Sequence, residues 1–401
     1  MASAAELKRG NLLELINAIW RKESFTKPEL AERTELTGVT VHHAVNEWLA
    51  AGFVVEQGAA RSNGGRKAAL YRMNAAFGSI VGVHVGIRGF HVGVYDLRLE
   101  LLHGRRCDAD LAYNPSVIER LVTEIEAAVR DSGIGAEQVL AVGISLPGQV
   151  DYAGGTVLNL TNVPHWRGIP LKRLLEERLG VDVIPDNDNC GTILAAKWLG
   201  LMKERADAVY LSIGDGVGTG VMAQGKVVRG KHANVGEIGH MTVDYNGAPC
   251  NCGGRGCIET VASNRAVLAK LQAALPQAGA AAPRQLADYV ALAREGDRTA
   301  MRVFRETAAF VGLALDIAVK AYDPELMIVQ NDWLPHFPEL FAELVDGLYA
   351  KSAWLRGGGL TVLQNPIPEL EAIGAAALVK ERLAAEVAGN PLLARLTAVQ
   401  R

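Results

Sequence analysis

The sequence contains no run of about 18 uncharged apolar residues, the length a membrane-spanning helix requires, so no span is expected. Its opening, MASAAELKRGNLLEL, has no apolar core followed by a cleavage site, so no export signal is expected and the cytoplasm is the expected compartment. Cysteine is scarce: five in 401 residues do not make a disulfide scaffold. Net charge is also small, −3, which argues against a general nucleic-acid binder. No low-complexity tract is present, and the Ala-rich residues 277–282 read as a loop.

What is there is ordinary globular material, 49% hydrophobic and 21% charged, long enough for two or three domains. The charge is uneven. Residues 1–75 carry +2 and the remainder −5, the asymmetry of a small DNA-facing module on an acidic body.

The first 75 residues read as helix, short helix, turn, helix and two strands. Leu12, Leu13, Leu15, Ile16, Ile19 and Trp20 make one apolar stripe. Thr26 with Glu29 forms a capping box for a second helix, with Pro28 in its first turn. Thr37 caps a third helix whose Val41, Val45, Trp48 and Leu49 recur at helical spacing, and Gly52 stops it. Strands at residues 53–56 and 70–72 flank a basic Gly-rich tip. This is the order of a winged helix-turn-helix. Thr37, Gly38, Thr40, His42, His43 and Asn46 are placed to reach base edges in a major groove, and Arg61, Arg66 and Lys67 to touch phosphates or the minor groove. The same architecture also serves protein docking. So few basic residues bind weakly as one copy, so a homodimer reading two half-sites of operator DNA is expected.

Three of the five cysteines crowd together. His240 is followed ten residues later by Cys250, Cys252 and Cys257. One imidazole and three thiolates form the closed donor set of a structural zinc site, and thiolates favour zinc over magnesium or calcium. Cys107 and Cys190 lie elsewhere and read as buried thiols. The metal would fix His240 and, beside it, Glu237 and Glu259, a group suited to the hydroxyls of a sugar.

Beyond Gly78 the pattern changes to short apolar strands and helices: an antiparallel hairpin or three strands over residues 80–102, strands at 140–146, 181–185, 208–213 and 325–329, a helix ending at Trp198, and a closing helix from Leu370. The 208–213 strand runs into a turn read as Gly214–Gly220. The run Gly236-Glu237-Ile238-Gly239-His240, followed by Cys-x-Cys-Gly-x-x-Gly-Cys-x-Glu, resembles the signature of the ROK family (repressors, open reading frames, kinases), and the winged helix resembles its repressor branch. The resemblance implies a two-lobed, actin-like (ribonuclease-H-like) α/β body with sugar in its cleft. It implies three segments: residues 1–76 as the DNA-binding domain, 77–195 with a C-terminal helix at about 371–398 as a small lobe, and 196–370 as a large lobe with the zinc site. It implies sugar contacts at Gly148, Asn162, Asn187, Asp188, Glu237, His240 and Glu259. His165 stands where the family has glycine, which implies a reshaped cleft.

The same resemblance separates two outcomes. Asp188 matches the base of the family's kinases. Three phosphate-holding parts depart from the kinase pattern: the first turn reads His84-Val85-Gly86-Ile87-Arg88-Gly89, a carboxylate, Asp215, stands in the second, and Gln330-Asn331 replaces a Gly-Gly pair. Phosphoryl transfer depends mostly on positioning and charge neutralisation around the phosphates. The expectation is a non-enzymatic repressor released by a sugar inducer. A sugar kinase, a repressor controlled by a protein partner, and an activator are the alternatives.

Overall fold

The structure is a computed structural model that describes residues 4–20, 22–59, 68–87, 89–109, 111–163, 165–275, 285–351, 355 and 359–398. Arg61, Arg66, Lys67, Arg88 and the Ala-rich residues 277–282 lie outside the described residues.

The N-terminal module follows the sequence signals. Helix α1 spans Ala4–Trp20, α2 Lys27–Thr34 and α3 Gly38–Ala51; strands β1 (Val54–Ala59) and β2 (Ala69–Met73) pair antiparallel. Thr26 and Glu29 form the reciprocal capping box, and Thr37 accepts a hydrogen bond from the Thr40 amide. Gly52 closes α3 in the left-handed conformation. Leu15, Ile16, Ile19, Val45, Trp48 and Phe53 form its core.

The body holds two five-stranded sheets. The first comprises β3 (Ser79–Val85), β4 (Gly89–Tyr95), β5 (Leu101–Asp108), and, beyond helix α4 (Pro115–Asp131), β6 (Val139–Leu146). A small hairpin follows, β7 (Gln149–Asp151) and β8 (Thr156–Asn159), then α5 (Leu171–Leu179) and β9 (Asp182–Asn187). Its order is β5-β4-β3-β6-β9, so residues 80–102 form three antiparallel strands rather than a simple hairpin. Helix α6 (Asp188–Trp198) leads to β10 (Ala208–Ile213), β11 (Val217–Ala223) and β12 (Lys226–Val227). The expected Gly-rich turn is shorter than read. Only residues 214–216 turn; from Val217 the chain already pairs with β10 as a largely buried strand.

Helices α7 (Glu259–Ala262), α8 (Asn264–Ala274), α9 (Leu286–Arg294) and α10 (Arg298–Tyr322) precede β13 (Leu326–Asn331). Helix α11 (Pro338–Lys351) and β14 (Thr361–Gln364) complete the second sheet, β12-β11-β10-β13-β14. The closing helix is two helices, α12 (Leu370–Ala385) and α13 (Pro391–Ala398), not one to residue 398. Gly389 takes a left-handed turn, and the Asn390 side chain caps the new start by accepting the Leu392 and Leu393 amides.

Helices α6 and α12 cross at Gly191 and Gly374, where a Cβ on either would strike the other backbone. The pair joins the two sheets and reaches the N-terminal module. Trp20 of α1 packs on Trp198 at 5.9 Å between ring centroids and donates its indole N–H to the Leu97 carbonyl. Asn17 donates to the Ala384 carbonyl at 2.7 Å. One hydrophobic cluster runs from Leu15 through Ile193 to Val379, so the module is packed onto the body rather than tethered to it.

Candidate functional site

The metal cluster closes as expected. Side-chain donors of His240, Cys250, Cys252 and Cys257 all lie within 4.8 Å of one another. Cys252 Sγ and Cys257 Sγ are 3.8 Å apart, and Cys250 Sγ and His240 Nδ1 3.6 Å. Ligand bonds of about 2.3 Å to sulfur and about 2.1 Å to nitrogen give tetrahedral edges of about 3.8 and about 3.6 Å. The donor set therefore fits a tetrahedral ion. Gly253 and Gly256 both have positive φ, which curls the loop so that its sulfurs converge. Burial and the neighbouring thiols push the Cys257 thiol up to about 12, so a cation is needed for all three to ionise. Cys190 is buried as read, but Cys107 is only half-buried and accepts a hydrogen bond from Arg120 at 3.1 Å.

His240 serves two surfaces. Its Nδ1 faces the sulfurs, and its Nε2 lies 3.6 Å from Glu237 Oε2. Two residues past Cys257, Glu259 begins α7. Glu259 is 4% exposed, and its Oε2 accepts the Val217 amide at 3.1 Å.

These groups open on a cavity of about 260 Å³ between the sheets. Gly148, Asn162, Asn187, Asp188, Glu237, His240 and Glu259 all line it. Asn162 donates to Glu259 Oε1 at 3.4 Å and accepts from Asn251 at 2.9 Å, which links β8's exit loop to the metal loop. Asn187 caps α6: its Oδ1 accepts the Asn189 amide and its Nδ2 donates to the Gly148 carbonyl at 2.9 Å. Much of its capacity is therefore spent on holding the wall. Asp188 is the first residue of α6, and its Oδ1 accepts from the Asn189 amide at 2.8 Å. Burial, with Glu237 and Glu371 nearby, pushes its carboxyl up to about 7. Burial and Glu259 raise Glu237 as well, against the opposing pull of His240.

Several residues here have no sequence signal. Glu371, at the start of α12, lines the cavity and accepts a hydrogen bond from the Tyr210 hydroxyl at 2.6 Å. Arg265 lies 3.4 Å from Glu259 Oε1. A lone acid on an Ala-rich helix marks nothing until the helix is packed.

The expected role of His165 does not hold. Its side chain is exposed and does not line the main cavity; it lines a neighbouring surface cavity that adjoins the main one at Thr161 and Asn162. Its φ is +67°, the left-handed region that the family glycine occupies freely. His165→Gly should stabilise the chain by about 1 kcal/mol in denaturant unfolding and leave ligand preference unchanged. An altered preference would restore the cleft role.

At the kinase phosphate positions, the first turn closes on itself through the Gly86 amide and the Gly89 carbonyl at 2.9 Å. His84 donates to or accepts from Ser145 at 3.0 Å, and burial pushes its imidazole down to about 4. Asn331 is buried, accepts the Trp333 and Leu334 amides and donates to the Ile213 carbonyl. Its side chain fills a space that paired glycines would leave to a ligand.

On the N-terminal module, Thr37, Gly38, His42, His43 and Asn46 are exposed and Thr40 is half-buried. Lys27 donates to Asn46 at 2.7 Å, and Asn46 bonds His42 at 2.9 Å, so part of this surface is already ordered. Val39, which sequence reading passed over, is 68% exposed on the first turn of α3.

Known proteins resemble this chain. The ROK family profile matches residues 80–381. A putative xylose repressor of Caldicellulosiruptor sp. (strain Rt8B.4) is 29% identical over 365 residues, 88% of this chain and 91% of its own. The glucokinase of Thermotoga maritima is 30% identical and is covered over 98% of its length by 76% of this chain. A crystal structure of a ROK family transcriptional regulator, described as a homologue of the E. coli MLC protein, superposes with a TM-score of 0.82 at 24% identity, covering 98% of this chain and 100% of that one. The two-sheet body, the Cys3His loop and the match over residues 80–381 lead to one conclusion: this chain belongs to the ROK family.

Proposed function

We propose that the chain is a sugar-responsive DNA-binding transcriptional regulator, a repressor of carbohydrate-utilisation genes released by its sugar, and not an enzyme. One observation carries this reading: the cavity that gathers seven polyol-type groups sits at one end of α6 and α12, and the DNA-facing module is seated at the other. Likeness to repressors over most of the chain supports it. Amides, carboxylates and an imidazole supply the mixed donors and acceptors that vicinal hydroxyls need. Gly148, Asn162, Asn187 and Asp188 would act from the segment 77–195 with the closing helices, and Glu237, His240 and Glu259 from 196–370. Zinc at His240, Cys250, Cys252 and Cys257 supplies a cross-link that keeps the His240 ring and the approach to Glu259 fixed.

The module, residues 1–76, would dock α3 in a major groove. Thr37, Gly38, Thr40, His42, His43 and Asn46 face the bases, and Arg61, Arg66 and Lys67 the backbone. Val39 adds an apolar contact for a thymine methyl. A homodimer makes the half-site distance the regulated quantity: a sugar bound more tightly by one lobe closure shifts that distance. Among the described residues no helix is long and apolar enough to cross a membrane.

Side chains packed between the two sites support a coupling path. Lys197 and Trp198 both bond Glu381 at 2.9 Å, and buried Lys380 lies over the Trp20 and Trp198 rings at 5.6 and 5.0 Å. Trp198→Ala should leave sugar affinity within about twofold while cutting the sugar's effect on operator affinity from about tenfold to about twofold. Undiminished coupling places the path elsewhere. A thermal-shift screen of common sugars tests the function itself. One sugar should raise Tm in a concentration-dependent way. A panel in which none does so contradicts the reading.

A further inference from the structure

The first sheet carries a rank of polar residues across its whole width. Asp186, Ser145, His84, His91 and Arg106 are register partners on β9, β6, β3, β4 and β5 in turn. Directly paired residues share a face, so the five side chains form one line. His84 lines the cavity already described. It also lines a second cavity, of about 410 Å³, that His91 and Arg106 line alone of the two. The chambers share Gly86, Ile87, Asp215 and Glu371 besides His84 and so adjoin one another.

The chemistry of the second chamber selects its ligand. Burial holds the imidazoles of His84 and His91 towards the neutral form. The Nδ1 of His91 is buried with no hydrogen-bond partner. Arg106 is paired with Glu369, and Asp108, Asp215 and Glu371 add three more carboxylates. Neutral rings, a paired cation and an excess of acids suit a neutral polyhydroxyl group better than an anion.

We infer that the two chambers together hold a disaccharide, one ring against Asp188, Glu237, His240 and Glu259 and the glycosidically linked second ring over His84, His91 and Arg106. This rests on the sugar reading above and names the ligand class for that site. The surroundings of His91 include Glu369 and Arg106 across the strands, so the second subsite has its own polar partners apart from those of the first.

Isothermal titration of the full chain tests it with glucose, xylose and N-acetylglucosamine against cellobiose, xylobiose and chitobiose, and with glucose 6-phosphate. One disaccharide should bind at least about tenfold more tightly than its own monosaccharide. His91→Ala and Arg106→Ala should each remove most of that advantage and leave the monosaccharide within about twofold, and Arg106→Ala, at a largely exposed side chain, should leave Tm nearly unchanged. A monosaccharide that binds with no gain from its second ring, or a phosphorylated sugar that binds best, overturns this inference and leaves the proposed function standing. Absence of binding by every sugar removes both.

Discussion

Replacing Cys257 by serine is expected to strip the chain of its metal, lower Tm by about 10 °C and weaken sugar binding by about 100-fold. Elemental analysis of the native chain should give one zinc per chain, and the variant almost none. The reason is short-range geometry. The Thr242–Cys257 bridge and the bond from the Ile258 amide to the Met241 carbonyl tie the metal loop to the residue before Glu259. His240 keeps Nε2 towards Glu237 only while Nδ1 is held on the other side. Metal loss therefore disturbs three cavity groups at once. A metal-free chain with native sugar affinity would show that the loop folds without a cross-link.

The second large effect concerns Asp188. Asp188→Ala should weaken sugar binding by about 100-fold, since hydrogen bonds to a charged or partly charged carboxyl are among the strongest in such a site. Operator affinity without sugar should stay within about twofold, so the variant represses permanently. Titration of sugar and operator separately distinguishes this from misfolding. Asp188→Asn reports the carboxyl's charge as well. The native carboxyl is raised from 3.8 to about 7, chiefly by burial and then by Glu237 and Glu371. A raised group holds its proton in the native state, so its contribution to stability is full below about pH 3.8 and is lost as pH rises to about 7. The asparagine variant should therefore gain Tm relative to the parent between pH 4 and 8, by a few degrees at the upper end. A constant difference across that range would contradict an upward-shifted Asp188.

Some of this was legible in local sequence and some was not. Thr26 with Glu29, Thr37 and Gly52 mark helix ends because caps act within four residues. The Cys3His set is legible because its donors lie within 18 residues of chain. Glu237, His240 and Glu259 were legible beside the metal loop, Gly148, Asn162, Asn187 and Asp188 came from the resemblance, and the fold brings all seven to one cavity. What escaped depends on long-range pairing. The rank from Asp186 to Arg106 exists only once five strands are in register. Glu371 reaches the cavity only because α12 crosses α6 at Gly374. His165 misled for a local reason: a left-handed φ turns its side chain outward, so its bulk never enters the cleft. The Gly-rich run misled because glycines in β11 pair as strand, where Gly218 and Gly220 lie against Asn189 of α6.

The most direct measurement is the affinity of the purified chain for a DNA duplex it enriches from a randomised pool, by fluorescence anisotropy, alone, with each sugar and with ATP. The account predicts that one sugar weakens DNA binding by at least about tenfold and that ATP changes nothing with or without that sugar. DNA binding that no sugar alters, together with ATP-dependent phosphorylation of a sugar, would contradict it.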